Sequence, residues 1–230
     1  RDLRMSRGLG DVYKRQICMY VPLLYAGLNG VLAALITSIV ILAASIYILN
    51  GFSSKTICAI IGTSTGIIIS GGLAMIAGSM SHLNGFNMTD VESMIYIANN
   101  SKLHVSDILY AGILISSLGA VMDVSVSIVA AITEIHEKAP HLKAKELFMS
   151  GMHVGHDMMG TMSNTLILAY TGSATGTLLT IYSYEMPYLQ FMGYNSIIIE
   201  IVCGLCGTIG VILTVPIQAF ITTMVLKVRK

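Results

Sequence analysis

The run DILYAGILISSLGAVMDVSVSIVAA, residues 107–131, contains only two charged side chains, Asp107 and Asp123. A helix of about 20 mostly apolar residues is long enough to cross the hydrocarbon core of a bilayer. The run therefore predicts a transmembrane helix with one acid near its middle.

The whole chain shows the same character. Hydrophobic residues make up 54% and charged residues 11% of the 230 residues, whereas soluble domains carry about 25% charged residues. The net charge of +1 gives no basic surface for nucleic acid. We predict an all-α, polytopic transmembrane helical bundle in the lipid bilayer, with a truncated N-terminal span at 17–27 and five full spans at 29–49, 57–81, 107–131, 158–181 and 196–224.

The first sixteen residues, RDLRMSRGLGDVYKRQ, differ in composition from the rest. They lack the central apolar region of a signal peptide and look like a non-native linker. We therefore expect one transmembrane domain over 17–230, preceded by a probable linker-like segment, 1–16, and a missing natural N-terminus.

The charges between the spans predict the orientation, because cytoplasmic loops carry an excess of Lys and Arg. A charged connection at 133–156, interrupted by Pro140, is predicted to be a cytoplasmic amphipathic element. The opposite side carries Lys102 and three acidic residues. We thus expect a plasma-membrane protein with a cytoplasmic C-terminus, since one side collects Lys55, Lys138, Lys143, Lys145, Lys227, Arg229 and Lys230.

Asp123 is the strongest candidate for function, because a charge at a helix centre costs about 2.5–3.5 kcal/mol on insertion scales. Small and polar residues recur with it at helical spacing, which predicts that it points into the protein. A carboxyl group that exchanges protons there would serve a proton relay, and a structural hydrogen bond is the alternative. This face comprises Gly112, Ser116, Gly119, Ala120, Asp123 and Ser127.

A second polar face, with Thr161, Asn164 and Thr165, begins the 158–181 span. Asn164 is predicted to lie at the depth of Asp123, where Asn164 or Thr165 could hydrogen-bond its side chain. They either line a proton path or hydrogen-bond neighbouring helices. Asp157 is predicted to cap this helix. Glu200, near the outer end of the last span, is a further transport candidate or a side chain that reaches the headgroups.

Glycines at short spacing predict close helix packing. The positions concerned are Gly62, Gly66, Gly119, Gly204 and Gly207.

The sequence gives little support for metal binding, redox chemistry or enzymatic activity. His153, His156 and Asp157 lack a second ligand cluster, so no metal site is expected. Cys203 and Cys206 form a CxxC inside an apolar span. Nucleotide-binding, hydrolase and peptidase motifs are missing, so we expect no cofactor and no enzymatic activity.

The segments LGAVMDVSVSIVAAITEIHEK (118–138), ELFMSGMHVGHDMMGTMSNTLILAYTGS (146–173) and VILTVPIQAF from Val211 resemble the YibE/F-like family of bacterial membrane proteins over about residues 17–226. The resemblance implies location and architecture more than mechanism. A weaker similarity to the membrane core of SecD/SecF and related RND permeases implies that Asp123 is the proton-carrying acid, faced by Thr161 and Thr165.

Two functions remain open from the sequence. One is a proton-linked transporter or permease component, in which water reaches Asp123. The other is a non-transporting scaffold or assembly factor, whose polar face binds another copy or a paralogous membrane partner.

Overall fold

The computed structural model describes residues 18–51, 53–81, 95 and 104–228. The predictions for 1–16 and for most of the outer loop, 82–106, lie outside these residues. The described part is helical, beginning with a short helical segment at 18–25. The helices that follow are α1 (Gly30–Asn50), α2 (Ser54–Met80), α3 (Val105–Lys138), α4 (Ala144–Ser173), α5 (Thr175–Ser183), α6 (Tyr188–Met192) and α7 (Asn195–Val228).

Local signals explain where several helices begin. The Asn29 side chain accepts a hydrogen bond from the backbone N–H of Val31 at 3.0 Å, which caps α1. Ser53 caps α2 by accepting from the N–H of Thr56 at 3.4 Å. At the start of α4 the Glu146 carboxylate accepts from the N–H of Lys143 at 2.8 Å. The chain is not helical at Pro140, because α3 ends at Lys138 and α4 begins at Ala144, but the flanking pieces are the ends of two long helices and not separate short ones.

Helix α7 lies at the centre of the bundle and packs against α2, α3 and α4. It runs parallel to α3, since Ser117 lies beside Gly207 and Ser125 donates a hydrogen bond to Gln218. Helix α4 runs antiparallel to both. Its Gly151 lies against Ile132 of α3 and Ala219 of α7, whereas Tyr170, near its other end, bonds to Ser116.

The lysines between the helices gather at one end of the bundle. Lys55 forms an ion pair with Glu137 at 3.0 Å, and Lys227 Nζ donates to the carbonyl of Leu142 at 2.6 Å. We call this the lysine end. The C-terminal ends of α2 and α4 and the N-terminal ends of α3 and α7 lie at the other, far end.

The outside of the bundle is apolar. Leu32 is 52%, Ile36 45% and Val40 44% exposed on one side of α1. An extended apolar surface of this kind suits a lipid environment. In the described part, the helices long and apolar enough to cross a membrane are Gly30–Ile48, Lys55–Met80, Val105–Lys138 and Asn195–Lys227.

The prediction for 158–181 differs most from the structure. The helix begins at Ala144 and ends at Ser173, so its first half takes up much of the connection predicted at 133–156. Small residues cause this difference, because Gly151 and Gly155 are buried against α3 and α7 and fix the first half to the bundle. Asp157 consequently lies inside α4 and does not cap its N-terminus.

Candidate functional site

Asp123 lies on an exposed face of α3. Within the described chain its carboxylate has neither an ion pair nor a hydrogen bond, and a Cβ added at Gly112 or Gly119 would meet nothing within 4 Å. The sequence predicts that this small-residue face packs against a neighbouring helix, with Asp123 directed inward. The structure packs α3 through the opposite face instead, which includes Ser117, Val121 and Ser125.

The polar residues of α4 are also exposed. Thr161, Asn164 and Thr165 lie away from the side that carries Gly151 and Gly155. The threonine hydroxyls donate to backbone carbonyls four residues earlier, Thr161 to Asp157 at 3.5 Å and Thr165 to Thr161 at 2.9 Å. These bonds lie within one helix, so the hydroxyls do not contact Asp123.

The packing of α3 against α4 gives the relative height of the two polar faces. Gly155 lies against Ile128, and the Tyr170 hydroxyl donates to Ser116 Oγ at 2.8 Å. Interpolation between these antiparallel contacts places Asp123 level with Thr161, and Asn164 within about one turn. The structure therefore places Asp123 and Thr161 at one height, on exposed sides of two different helices and without direct contact. We call Asp123, Thr161, Asn164 and Thr165 the open polar face.

Glu200 belongs to a different place, a cleft between α3, α4 and α7 at the far end. Ser173 Oγ donates to Glu200 Oε1 at 3.0 Å, and Leu109 and Tyr170 line the same cleft. Counted from Leu109 along α3 at 1.5 Å per residue, Glu200 lies about 20 Å from Asp123. The two acids do not form one site.

Gln218 is an important residue that the sequence reasoning missed. Its side chain is completely buried and joins three helices. Its Oε1 accepts from Ser125 of α3 at 2.6 Å, while its Nε2 donates to the carbonyl of Cys58 of α2 at 3.0 Å and to Thr222 at 3.2 Å. A glutamine inside the apolar last span was the available signal.

Four of the five predicted packing glycines lie against a neighbouring helix, and Gly119 does not. A Cβ at Gly62 would overlap the Gln218 amide, and one at Gly66 would overlap Thr214, so these glycines let α2 approach α7 closely. Gly204 and Gly207 face α4, at 3.5 Å from Tyr170 and Leu166. Gly119 differs, because no described residue lies near its open side.

Within the described chain, no group of three His, Cys, Asp or Glu residues could hold a metal ion. His153, His156 and Asp157 are exposed. Cys203 and Cys206 are free and buried, where they act as small packing residues.

Comparison with known proteins gives one match. The sequence model described as YibE/F-like protein matches residues 15–228. Searches of curated proteins and of solved structures found no significant match, so the similarity to SecD/SecF stays a prediction.

Proposed function

Because the chain belongs to the YibE/F-like family, we propose that this multi-pass membrane protein is a proton-linked transporter or a component of a permease. Asp123 is the group that takes up and releases the proton. The observation that carries the proposal is the position of this acid, which is unpaired within the described chain and exposed on a transmembrane helix.

The open polar face favours a proton path as the role of Asp123, and it disfavours a buried structural hydrogen bond. A carboxyl group inside a membrane normally faces the bundle interior or a water-filled cavity. Asp123 is not closed off by packing, and Thr161 and Asn164 of α4 lie at its level. A proton path therefore requires a water-filled cavity at this exposed side of α3, where the threonine and asparagine supply hydrogen-bonding groups.

The proposal includes five full spans and a cytoplasmic lysine end. Helices α3 and α7 both run from the far end to the lysine end, so the chain must return to the far end between them. Helix α4, which includes most of the predicted 158–181 span, makes this return, although it is less apolar than the four helices of the described part that are long and apolar enough to cross a membrane. Lysine-rich connections lie on the cytoplasmic side in most membrane proteins, which supports a cytoplasmic C-terminus in the plasma membrane.

The alternative is a non-transporting scaffold. The openness of Gly112 and Gly119 favours it, because small residues let the helix of another copy or of a paralogous partner approach closely. Asp123 would then be buried against that partner. Neither the transporter nor the scaffold proposed here is an enzyme.

Proton flux distinguishes the two functions. The protein is reconstituted into vesicles with an internal pH dye, and an inward proton gradient is applied. We expect flux through the wild type, a loss of at least about tenfold with Asp123→Asn, and wild-type flux with Asp107→Asn, a matched change at the end of the same helix. Equal flux for Asp123→Asn and wild type, or no flux above empty vesicles, would contradict the proposal.

A further inference from the structure

The far-end cleft has a composition that suits a positively charged guest. It lies between α3, α4 and α7 and has a volume of about 440 Å³. Ligand pockets range from about 300 to 1,000 Å³, so the cleft is large enough for a small organic molecule. Most of its lining is apolar, including Leu109, Ile113 and Leu166.

Glu200 supplies the only charge in this lining. The Ser173 hydroxyl lies 3.0 Å from Glu200 Oε1 and 2.8 Å from the Tyr170 carbonyl, and its one proton is shared between these two acceptors. No lysine or arginine of the described chain forms an ion pair with Glu200. A carboxylate against apolar walls gains from a cation, because the local dielectric is lower than that of water.

The remaining polar groups make the cleft specific for a cation with apolar substituents. The Tyr170 hydroxyl donates its proton to Ser116 Oγ at 2.8 Å, which holds the Tyr170 ring at the lining of the cleft. The aromatic ring of Tyr170 offers a surface that attracts organic cations. The described lining provides one carboxylate beside the hydroxyls of Ser116, Tyr170 and Ser173, whereas a calcium site takes about six to eight oxygen ligands.

We propose that the cleft between α3, α4 and α7 binds a lipophilic monovalent organic cation, with Glu200 as its counter-ion. Binding stands on this cleft alone, and only transport of the cation rests on the proposed function. The cation would be the substrate class of a proton-linked transporter, with Asp123 about 20 Å away along α3.

The binding test uses tetraphenylphosphonium and the purified protein in lipid nanodiscs, measured by equilibrium dialysis. Tetraphenylborate, of the same shape and opposite charge, controls for partition into lipid. We expect saturable binding of the cation only, and at least about tenfold weaker binding with Glu200→Gln. Saturable binding of both ions, or unchanged binding by Glu200→Gln, overturns the proposal.

A second pair of variants tests the cleft without changing Glu200, because one variant fills the cleft and the other is a control outside it. Gly112 lines the cleft and is open on its Cβ side, so Gly112→Leu should occupy the cleft without a backbone clash. Gly72 of α2 is equally open but lies elsewhere. We expect weaker binding with Gly112→Leu and wild-type binding with Gly72→Leu. Equal binding by these two variants contradicts the site.

Asp123→Asn separates this inference from the proposed function. The variant should bind tetraphenylphosphonium as the wild type does, because the counter-ion Glu200 lies about 20 Å from Asp123. Retained binding with unaltered proton flux would reject the proton role and leave the cleft intact. Lost cation binding by the folded Asp123→Asn protein would overturn the separation of the two sites.

Discussion

Replacing Gln218 by leucine should destabilise the bundle more than any other polar substitution within α7. Leucine keeps most of the side-chain volume but removes the amide that bonds to Ser125 and to the carbonyl of Cys58. Interhelical hydrogen bonds in membranes are worth about 0.6 kcal/mol each and at most about 1.7 kcal/mol. Two such bonds give an expected loss of about 1 kcal/mol and an upper bound of about 3 kcal/mol.

The assay is equilibrium unfolding of the purified protein in mixed micelles, followed by circular dichroism as denaturing detergent is added. Gln190→Leu is the matched control, because Gln190 is exposed in α6 and its replacement should leave the free energy of unfolding unchanged. Ser125→Ala, measured alone and with Gln218→Leu, completes a double-mutant cycle. We expect a coupling free energy of about 0.6 kcal/mol between the two positions.

A Gln218→Leu protein as stable as the wild type would refute this reasoning. It would mean that the amide and its partners find equally good bonds elsewhere, for example within their own helices. A zero coupling energy with two destabilised single variants would instead assign the effect to packing, not to the hydrogen bond.

Further variants test the helix packing, the topology and the ion pair at the lysine end. Gly155→Leu should prevent folding, because a Cβ there would overlap Val215, whereas Gly160→Leu has open space; thermal unfolding of the two proteins measures the difference. With Cys18→Ser, an impermeant maleimide should label Lys138→Cys and Lys227→Cys from the same side and Gln190→Cys from the other; labelling of all three from one side contradicts five spans. The Lys55–Glu137 pair is exposed. A double-mutant cycle with neutral replacements at both positions should therefore give a coupling free energy below about 1 kcal/mol, and high salt should remove it. A larger coupling that persists in high salt would contradict a solvent-screened ion pair.

Hydrophobic length predicts the apolar helices because each must cover the same thickness of lipid. The predicted runs at 29–49 and 57–81 compare with Gly30–Asn50 and Ser54–Met80. The length of the apolar run did not predict where helix α4 begins. Its first half carries charge and looks like a surface connection, yet Gly151 and Gly155 seat it against two neighbours.

The orientation of Asp123 could not be predicted from spacing, because α3 has two faces of small residues. Ser117, Val121 and Ser125 recur every four residues, and Ser116, Gly119 and Asp123 recur at three- and four-residue spacing, so the residues of each set share a helix face. Only the partners decide between them, and Gln218 of α7 selects the face with Ser125. Asp123 and Thr161 lie at one height because the antiparallel register of α3 and α4 follows from their shared turn.

The most direct test of the proton role is the labelling of Asp123 by a hydrophobic carbodiimide in membranes, measured against pH with Asp123→Asn as the blank. The reagent reacts with the protonated carboxyl group. We expect labelling that is specific to Asp123 and declines as the pH is raised between about 6 and 9. No labelling across that range, with Asp123→Asn as stable as the wild type, would contradict a proton relay and favour the scaffold.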